Sequence, residues 1–271
     1  MKSVTDVQEY WERHPLLAHE VGEATADERW KYLDYIKRTD VEAFAMEFWG
    51  FDEVRRKNVL DIGCGPGWLT VMYARNGAVV TAIDLTEHAI RLTAAALEAN
   101  RVHAKLKVAS AEQLPFPDKY FDVVVSSGVL HHTPDYQKAI SETYRVTRDG
   151  GSGLITLYRL GALHSPLFFP IIKMMMRISR TRHPGADLAA TSHSVEEFVR
   201  QYDGAENPVG IAKHEHDWII DLESVGWKVK SVERHYFPSR MVPLISNAPR
   251  WFRRILDRRF ATMVYFNLLR E

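Results

Sequence analysis

Three groups of residues carry atoms that could do chemistry at one place. The first is the loop Asp61-Ile62-Gly63-Cys64-Gly65-Pro66-Gly67. Its glycines let the chain turn sharply and let a ligand approach the backbone with no Cβ between them. A helix opening just beyond it presents its N-terminus to negative charge such as a carboxylate. The second is Asp84, at the end of the following strand, placed to accept hydrogen bonds from both hydroxyls of a ribose. The third is His131-His132 together with Tyr158. These fall at the carboxyl ends of two predicted strands, the edge at which open α/β sheets bind ligands, and an imidazole there is a candidate general base. A nicotinamide dinucleotide fits this set poorly. Counted from Gly63, the G-x-G-x-x-G spacing asks for glycine where Trp68 stands, and the third glycine is Gly67 instead.

Strands that end together are needed to gather these groups. Asn58–Ile62 (NVLDI) reads as a buried strand, followed by the glycine loop and an amphipathic helix to about Asn76 that Gly77 closes. Ala78–Ile83 is a second strand, Thr86 and Glu87 open a helix to Asn100, and Lys105–Val108 is a short third strand. Phe121–Ser126 is a fourth. Thr133-Pro134-Asp135 starts the next helix, with the proline suited to its first position, and Gly153–Tyr158 is a fifth strand. A helix over about Lys213–Val225, a strand at Trp227–Tyr236 and a last strand at Ala261–Leu269 complete the pattern. Alternating strand and helix periods predict an α/β fold with a mostly parallel sheet covered on both faces. Residues 1–50, with aromatic and charged residues at loose helical spacing, are expected to form leading helices, and Tyr10 and Trp11 there could fold over the site as a lid.

The segments VLDIGCGPG, AVVTAIDLT, ASAEQLPFPDKYFDVVVSSGVLHHTPD and YRVTRDGGSGLITLY, in that order, resemble the class I S-adenosylmethionine-dependent methyltransferases of methyltransferase type 11, the branch that includes quinone-biosynthesis C-methyltransferases. The resemblance covers about a hundred contiguous residues. It implies a Rossmann-like seven-stranded sheet of order 3-2-1-4-5-7-6 with its last strand antiparallel, and S-adenosyl-L-methionine as cofactor. It further implies that Asp61, Gly63, Cys64 and Gly65 surround the methionine end and that Asp84 binds ribose. Leu85 would pack on adenine, Ser110, Ala111 and Glu112 would border it, and Ser127 would lie near the methionine portion, with Tyr10 closing over the cofactor. Ser110 stands where many relatives carry aspartate. The reaction implied is methyl transfer by in-line displacement to oxygen or carbon of a small-molecule acceptor, a secondary metabolite, sugar or lipid-like compound. His132, His131 and Tyr158 are the candidates to face the methyl group. A protein of this fold with other chemistry or a sensor role is the alternative, and an NAD-dependent oxidoreductase is disfavoured by Trp68.

Outside the core (51–159), residues 160–212 and about 238–258 break the alternation and read as insertions after strands five and six, where substrate selection usually sits. Gly204-Ala205-Glu206-Asn207-Pro208 resembles a G-x-x-N-P element near the active site of a subset of bacterial methyltransferases, which makes Tyr202, Asp203 and Asn207 substrate-side candidates; Trp11 of the leading segment is another. Leu167–Arg180 and Arg250–Arg259 mix apolar and basic residues; the Met-rich first stretch could line a pocket for a hydrophobic substrate, and both either pack on the core with cations in water or lie on a membrane surface. Lys plus Arg equals Asp plus Glu at 35 each, so no global field favours nucleic acid. One cysteine, Cys64, excludes an internal disulfide, and no metal site is expected, since His214 and His216 flank Glu215 with no further ligand set. No signal-type or membrane-spanning run is evident, so a cytoplasmic protein is expected; the oligomeric state is not legible.

Overall fold

The sheet is deeply covered along Asn58–Ile62 (β1) and Phe121–Ser127 (β4), whose Val59, Leu60, Val124 and Val125 have no solvent exposure. In the computed structural model of the chain, the described residues are 2–15, 24–178, 191–202, 206–237, 245 and 248–271. The other strands are β2 (Val79–Asp84), β3 (Lys105–Val108), β5 (Thr147–Arg159), β6 (Ala212–Lys213), β7 (Trp227–His235) and β8 (Met263–Arg270). The sheet runs β3-β2-β1-β4-β5-β8-β7, with β6 beside the end of β5. β8 is antiparallel to both neighbours and the remaining pairings are parallel. With the two-residue β6 set aside, this is the expected strand order.

Alternation along the strands divides the core in two. Val59, Val80, Val123 and Val125 face a cluster built with Trp30 and Leu33 of α2 (Ala26–Ile36), Trp68–Tyr73 of α3 (Trp68–Arg75), and Ala96 and Leu97 of α4 (Glu87–Ala99). Leu60, Ile62, Val124 and Ile155 face the opposite cluster, with Ala139 and Ile140 of α5 (Tyr136–Val146) and Trp218 and Leu222 of α8 (Glu215–Ser224). α1 (Val4–Arg13) begins at a capping box between Ser3 and Asp6 and contributes to neither cluster.

Several boundaries differ from the sequence reading. α5 begins at Tyr136 and not at Pro134: Asp135 is its cap, its side chain accepting from Lys138 N at 3.0 Å, and Leu130–His132 forms a separate 3-10 turn. β5 extends back to Thr147 through an irregular pairing with β4, and Gly150 takes φ +71° inside it. Lys213 lies in β6 and not in the helix expected there, which begins at Glu215. The leading helical region is broken after Ile36 by a π turn at Lys37–Val41 and a 3-10 turn at Met46–Trp49. In the insertions lie α6 (Phe169–Ile178), α7 (Val195–Tyr202) and α9 (Arg250–Phe260). Asp203, and the part of the second insertion between Phe237 and Ile245, lie outside the described residues, as do the side chains of Tyr202, Arg177 and Arg180.

Candidate functional site

β1 ends where the chain must turn against two neighbours at once. The N–H groups of Gly63 and Cys64 both donate to Ile83 O, at 2.8 and 3.0 Å. Gly63 has φ +73°, and a Cβ there would collide with the Val129 methyl groups; Gly67, at φ +87°, backs onto Thr93 at 3.0 Å. Gly65 is different. It also has positive φ, +51°, but nothing lies within 4 Å of the position a Cβ would take, so its open side faces the cleft.

Asp84 joins this loop to the next element. Its Oδ2 accepts from Gly65 N (3.0 Å), and its Oδ1 accepts from Thr86 N (3.0 Å) and Thr86 Oγ1 (2.9 Å). A carboxylate has about four lone-pair sites, so acceptor capacity remains toward the cleft that it lines. Burial raises the Asp84 pKa against the lowering effect of these donors. Asp61 sits below the loop, 1% exposed, where its Oδ2 accepts the Thr70 hydroxyl at 2.6 Å, and burial pushes its carboxyl up to about 6.

The cleft that opens from the loop has about 970 Å³ of space, its mouth included. Leu85, Ser110, Ala111 and Glu112 line one end, and Ser127, Gly128, Val129 and His132 line the other. Glu112 also accepts Asp135 N at 2.9 Å, and Ser110 Oγ accepts Glu112 N at 3.2 Å, so this wall is tied to the start of α5. Val4, Val7 and Trp11 of α1, followed by Pro15, cover the cleft from above. α1 is tied down by Gln8 Nε2, which donates to Leu85 O (3.0 Å), and by Glu12, which accepts from His88 N (3.2 Å) and pairs with Arg91 (3.2 Å).

The two histidines occupy different surroundings. His132 lines the cleft, with the Trp11 ring edge-on at 5.3 Å, and its Nδ1 lies 2.7 Å from Val209 O. A carbonyl can only accept, so Nδ1 carries the proton and the basic lone pair of the neutral ring is on Nε2. His131 is wholly buried against the Tyr158 ring at 3.9 Å; neither it nor Tyr158 lines the cleft. Both ring nitrogens of His131 lack hydrogen-bond partners among the described residues, and burial holds its pKa well below the ordinary value, so the ring is neutral.

Of the residues singled out in the sequence, Gly63, Gly65, Asp84, Leu85, Ser110, Ala111, Glu112, Ser127, His132 and Trp11 meet at the cleft. Cys64 turns into the core, its sulfur accepting the Thr93 hydroxyl. Tyr10 is 3% exposed and stacks on His14 at 4.6 Å, outside the cleft lining. Asn207 is buried behind His132: its Oδ1 accepts Val209 N at 3.3 Å, and its carbonyl accepts from Arg200 at 2.9 Å. Val209, which sets the His132 tautomer, and Val129, which walls the glycine loop, had no sequence signal of their own. Among the described residues no group of His, Cys, Asp and Glu could hold a metal ion.

Residues 60–155 match the family described as methyltransferase domain. The chain is 31% identical over 144 residues to a malonyl-[acyl-carrier protein] O-methyltransferase of Erwinia billingiae, covering 50% of this chain and 55% of that one. It is 31% identical over 98 residues to a ubiquinone biosynthesis O-methyltransferase of Coxiella burnetii, covering 36% and 42%. The chain thus spans about half the length of the curated relatives it matches. A solved S-adenosylmethionine-dependent methyltransferase from Methanosarcina mazei superimposes with a TM-score of 0.54 at 21% identity, over 80% of this chain and 94% of the other, a likeness of fold.

Proposed function

Since residues 60–155 are a methyltransferase domain of the class I S-adenosylmethionine-dependent family, we propose that the chain catalyses in-line methyl transfer from that cofactor to oxygen or carbon of a small-molecule acceptor. One observation carries this reading. A single cleft runs from an open glycine and a ribose-competent carboxylate at one end to an oriented imidazole under an aromatic cover at the other.

The residues fit the cofactor part by part. Gly65 leaves backbone open where a Cβ would intrude, which suits the amino-acid end beside the start of α3. Asp84 would accept a ribose hydroxyl with its remaining lone pair. Leu85 and the Ser110–Glu112 wall would enclose the base. Bound S-adenosylmethionine supplies an electrophilic methyl group on a sulfonium. The chain's own part is to align an acceptor at the Ser127–His132 end and to keep water out with Trp11, Val7 and Val4; alignment of this kind can remove several kcal/mol of barrier. Where the acceptor is a hydroxyl, His132 Nε2 takes its proton as it attacks.

Titration calorimetry tests the cofactor half. Asp84→Ala is expected to weaken S-adenosylmethionine binding at least tenfold, about 1.4 kcal/mol, while NAD shows no saturable heat with either protein. Unchanged affinity in the variant would remove Asp84 from the site. Methyl transfer to hydroxylated, enolic and acyl-chain-bearing acceptors then tests the acceptor half.

A further inference from the structure

The chain as a whole is balanced, with 35 basic and 35 acidic side chains, but α9 is not. It carries Arg250, Arg253, Arg254, Arg258 and Arg259 against a single carboxylate, Asp257. That carboxylate is turned inward, accepting from His235 Nδ1 (3.0 Å) and from the N–H groups of Tyr236 (2.7 Å) and Phe237 (3.2 Å). Arg250 and Arg253 reach the carbonyls of Ala43 and Thr39. Arg254, Arg258 and Arg259 are exposed and have no ion-pair partner among the described residues. On the same helix Trp251 is 66% and Ile255 55% exposed, and positions 251, 254, 255 and 258 share one face.

This face lies at the carboxyl edge of the sheet, as the cleft does. α9 leads into β8 through Ala261 and Thr262, whose carbonyls accept from Arg159 at the end of β5. Met263, which follows, packs beside Gly128 of the cleft.

We propose that the α9 face docks on a bilayer surface containing anionic lipid, with Trp251 and Ile255 entering the headgroup boundary and Arg254, Arg258 and Arg259 meeting lipid phosphates. An amphipathic helix of basic and aromatic residues binds in this way, and each basic residue near an anionic surface adds to the attraction. Charge complementarity selects this occupant over a second copy of the chain, because a two-fold contact would set the same arginines against themselves. No helix among the described residues is long and apolar enough to cross a membrane, so the contact is peripheral. The inference is independent of the acceptor, although a bilayer held at this edge would present acyl-chain-bearing compounds to the cleft.

Cosedimentation of the full chain with vesicles of phosphatidylcholine, with and without phosphatidylglycerol, tests it. Binding is expected with the anionic vesicles, weak with neutral ones, and reduced by added salt. The triple variant R254E/R258E/R259E and the variant W251S/I255S are each expected to lose at least tenfold in vesicle affinity while keeping the wild-type melting temperature and cofactor binding. Absence of binding to anionic vesicles, or equal binding by the charge-reversed variant, overturns the proposal. So does a sedimentation-velocity dimer that W251S/I255S abolishes in a protein that ignores vesicles, because the face would then be a contact between copies.

Discussion

Asp61, beneath the glycine loop, and His132, in the cleft, are governed by their surroundings in two ways. Asp61 has lost almost all contact with water and holds one hydroxyl hydrogen bond, so its carboxyl is pushed from 3.8 up to about 6. Between those values the folded protein keeps a proton that the unfolded chain has released. Stability therefore falls as pH rises through that window, and the penalty of about 3 kcal/mol, at about 1.4 kcal/mol per tenfold in proton affinity, is complete above it. Asp61→Asn keeps an acceptor for Thr70 and removes the charge. Urea unfolding of the free protein is expected to show the variant gaining on wild type at pH 7.5 and matching it near pH 4, and an identical gap at both would contradict a buried charged Asp61. In the site that the family resemblance implies, the cofactor ammonium would offset that destabilising charge, so the same variant is expected to bind S-adenosylmethionine more weakly. His132 is held differently, by one carbonyl that fixes its tautomer. His132→Ala is expected to lower turnover on a hydroxyl acceptor by about 10²–10⁴-fold, the usual worth of a positioned base, with cofactor affinity kept within about twofold. Equal turnover would leave the imidazole as a wall.

At the scale of elements, the glycine loop separates fold from function. Gly63→Ala must place a methyl among the Val129 methyl groups in a left-handed conformation, and overpacking with backbone strain is expected to cost about 3 kcal/mol. Gly65→Ala has the same unfavourable φ but open space, so about 1–2 kcal/mol is expected, together with at least tenfold weaker cofactor binding because the methyl projects into the cleft. Denaturant melts beside calorimetry check the pair, and a Gly65→Ala protein with intact binding would move the ligand away from the loop. Both glycines were legible in the sequence, as were β1, β2, β4 and Asp84, because a strand, its turn and the next strand end are local patterns. The helix start at Asp135 was misread at Pro134, since a proline at N1 and a proline just before a cap look alike until the 3-10 turn at Leu130–His132 displaces the helix. β6 and the Val209 contact to His132 were not legible. β6 pairs with the end of β5, and the contact joins His132 to Val209 77 positions away; each relies on backbone atoms, which carry no side-chain signature.

The whole molecule resolves into a sheet core that is complete without its N-terminus and a cover that is not part of that core. α1 lays Val4, Val7 and Trp11, at i, i+3 and i+7, over the cleft; Tyr10, one position off that stripe, turns to His14 instead. The sequence offered Tyr10 and Trp11 as equals, and only the direction of the helix face distinguishes them. Among the described residues the polar ties of α1 include one side-chain hydrogen bond to Leu85 O, one to His88 N, and the exposed Glu12–Arg91 pair, which is worth about 0–1 kcal/mol, beside the buried Val7 and Tyr10. A terminal helix outside both core clusters opens at lower free-energy cost than the sheet, and a ligand that fills the space beneath it holds it closed. The amides of residues 7–13 are therefore expected to exchange with deuterium quickly in the free protein and at least tenfold more slowly at saturating S-adenosylmethionine, while amides of β1 and β4 hardly change. Glu12→Ala should hasten exchange in the free protein and weaken binding by the same slight margin. If α1 is as well protected without ligand as with it, the helix is a fixed wall, and the cleft must fill without the N-terminus moving.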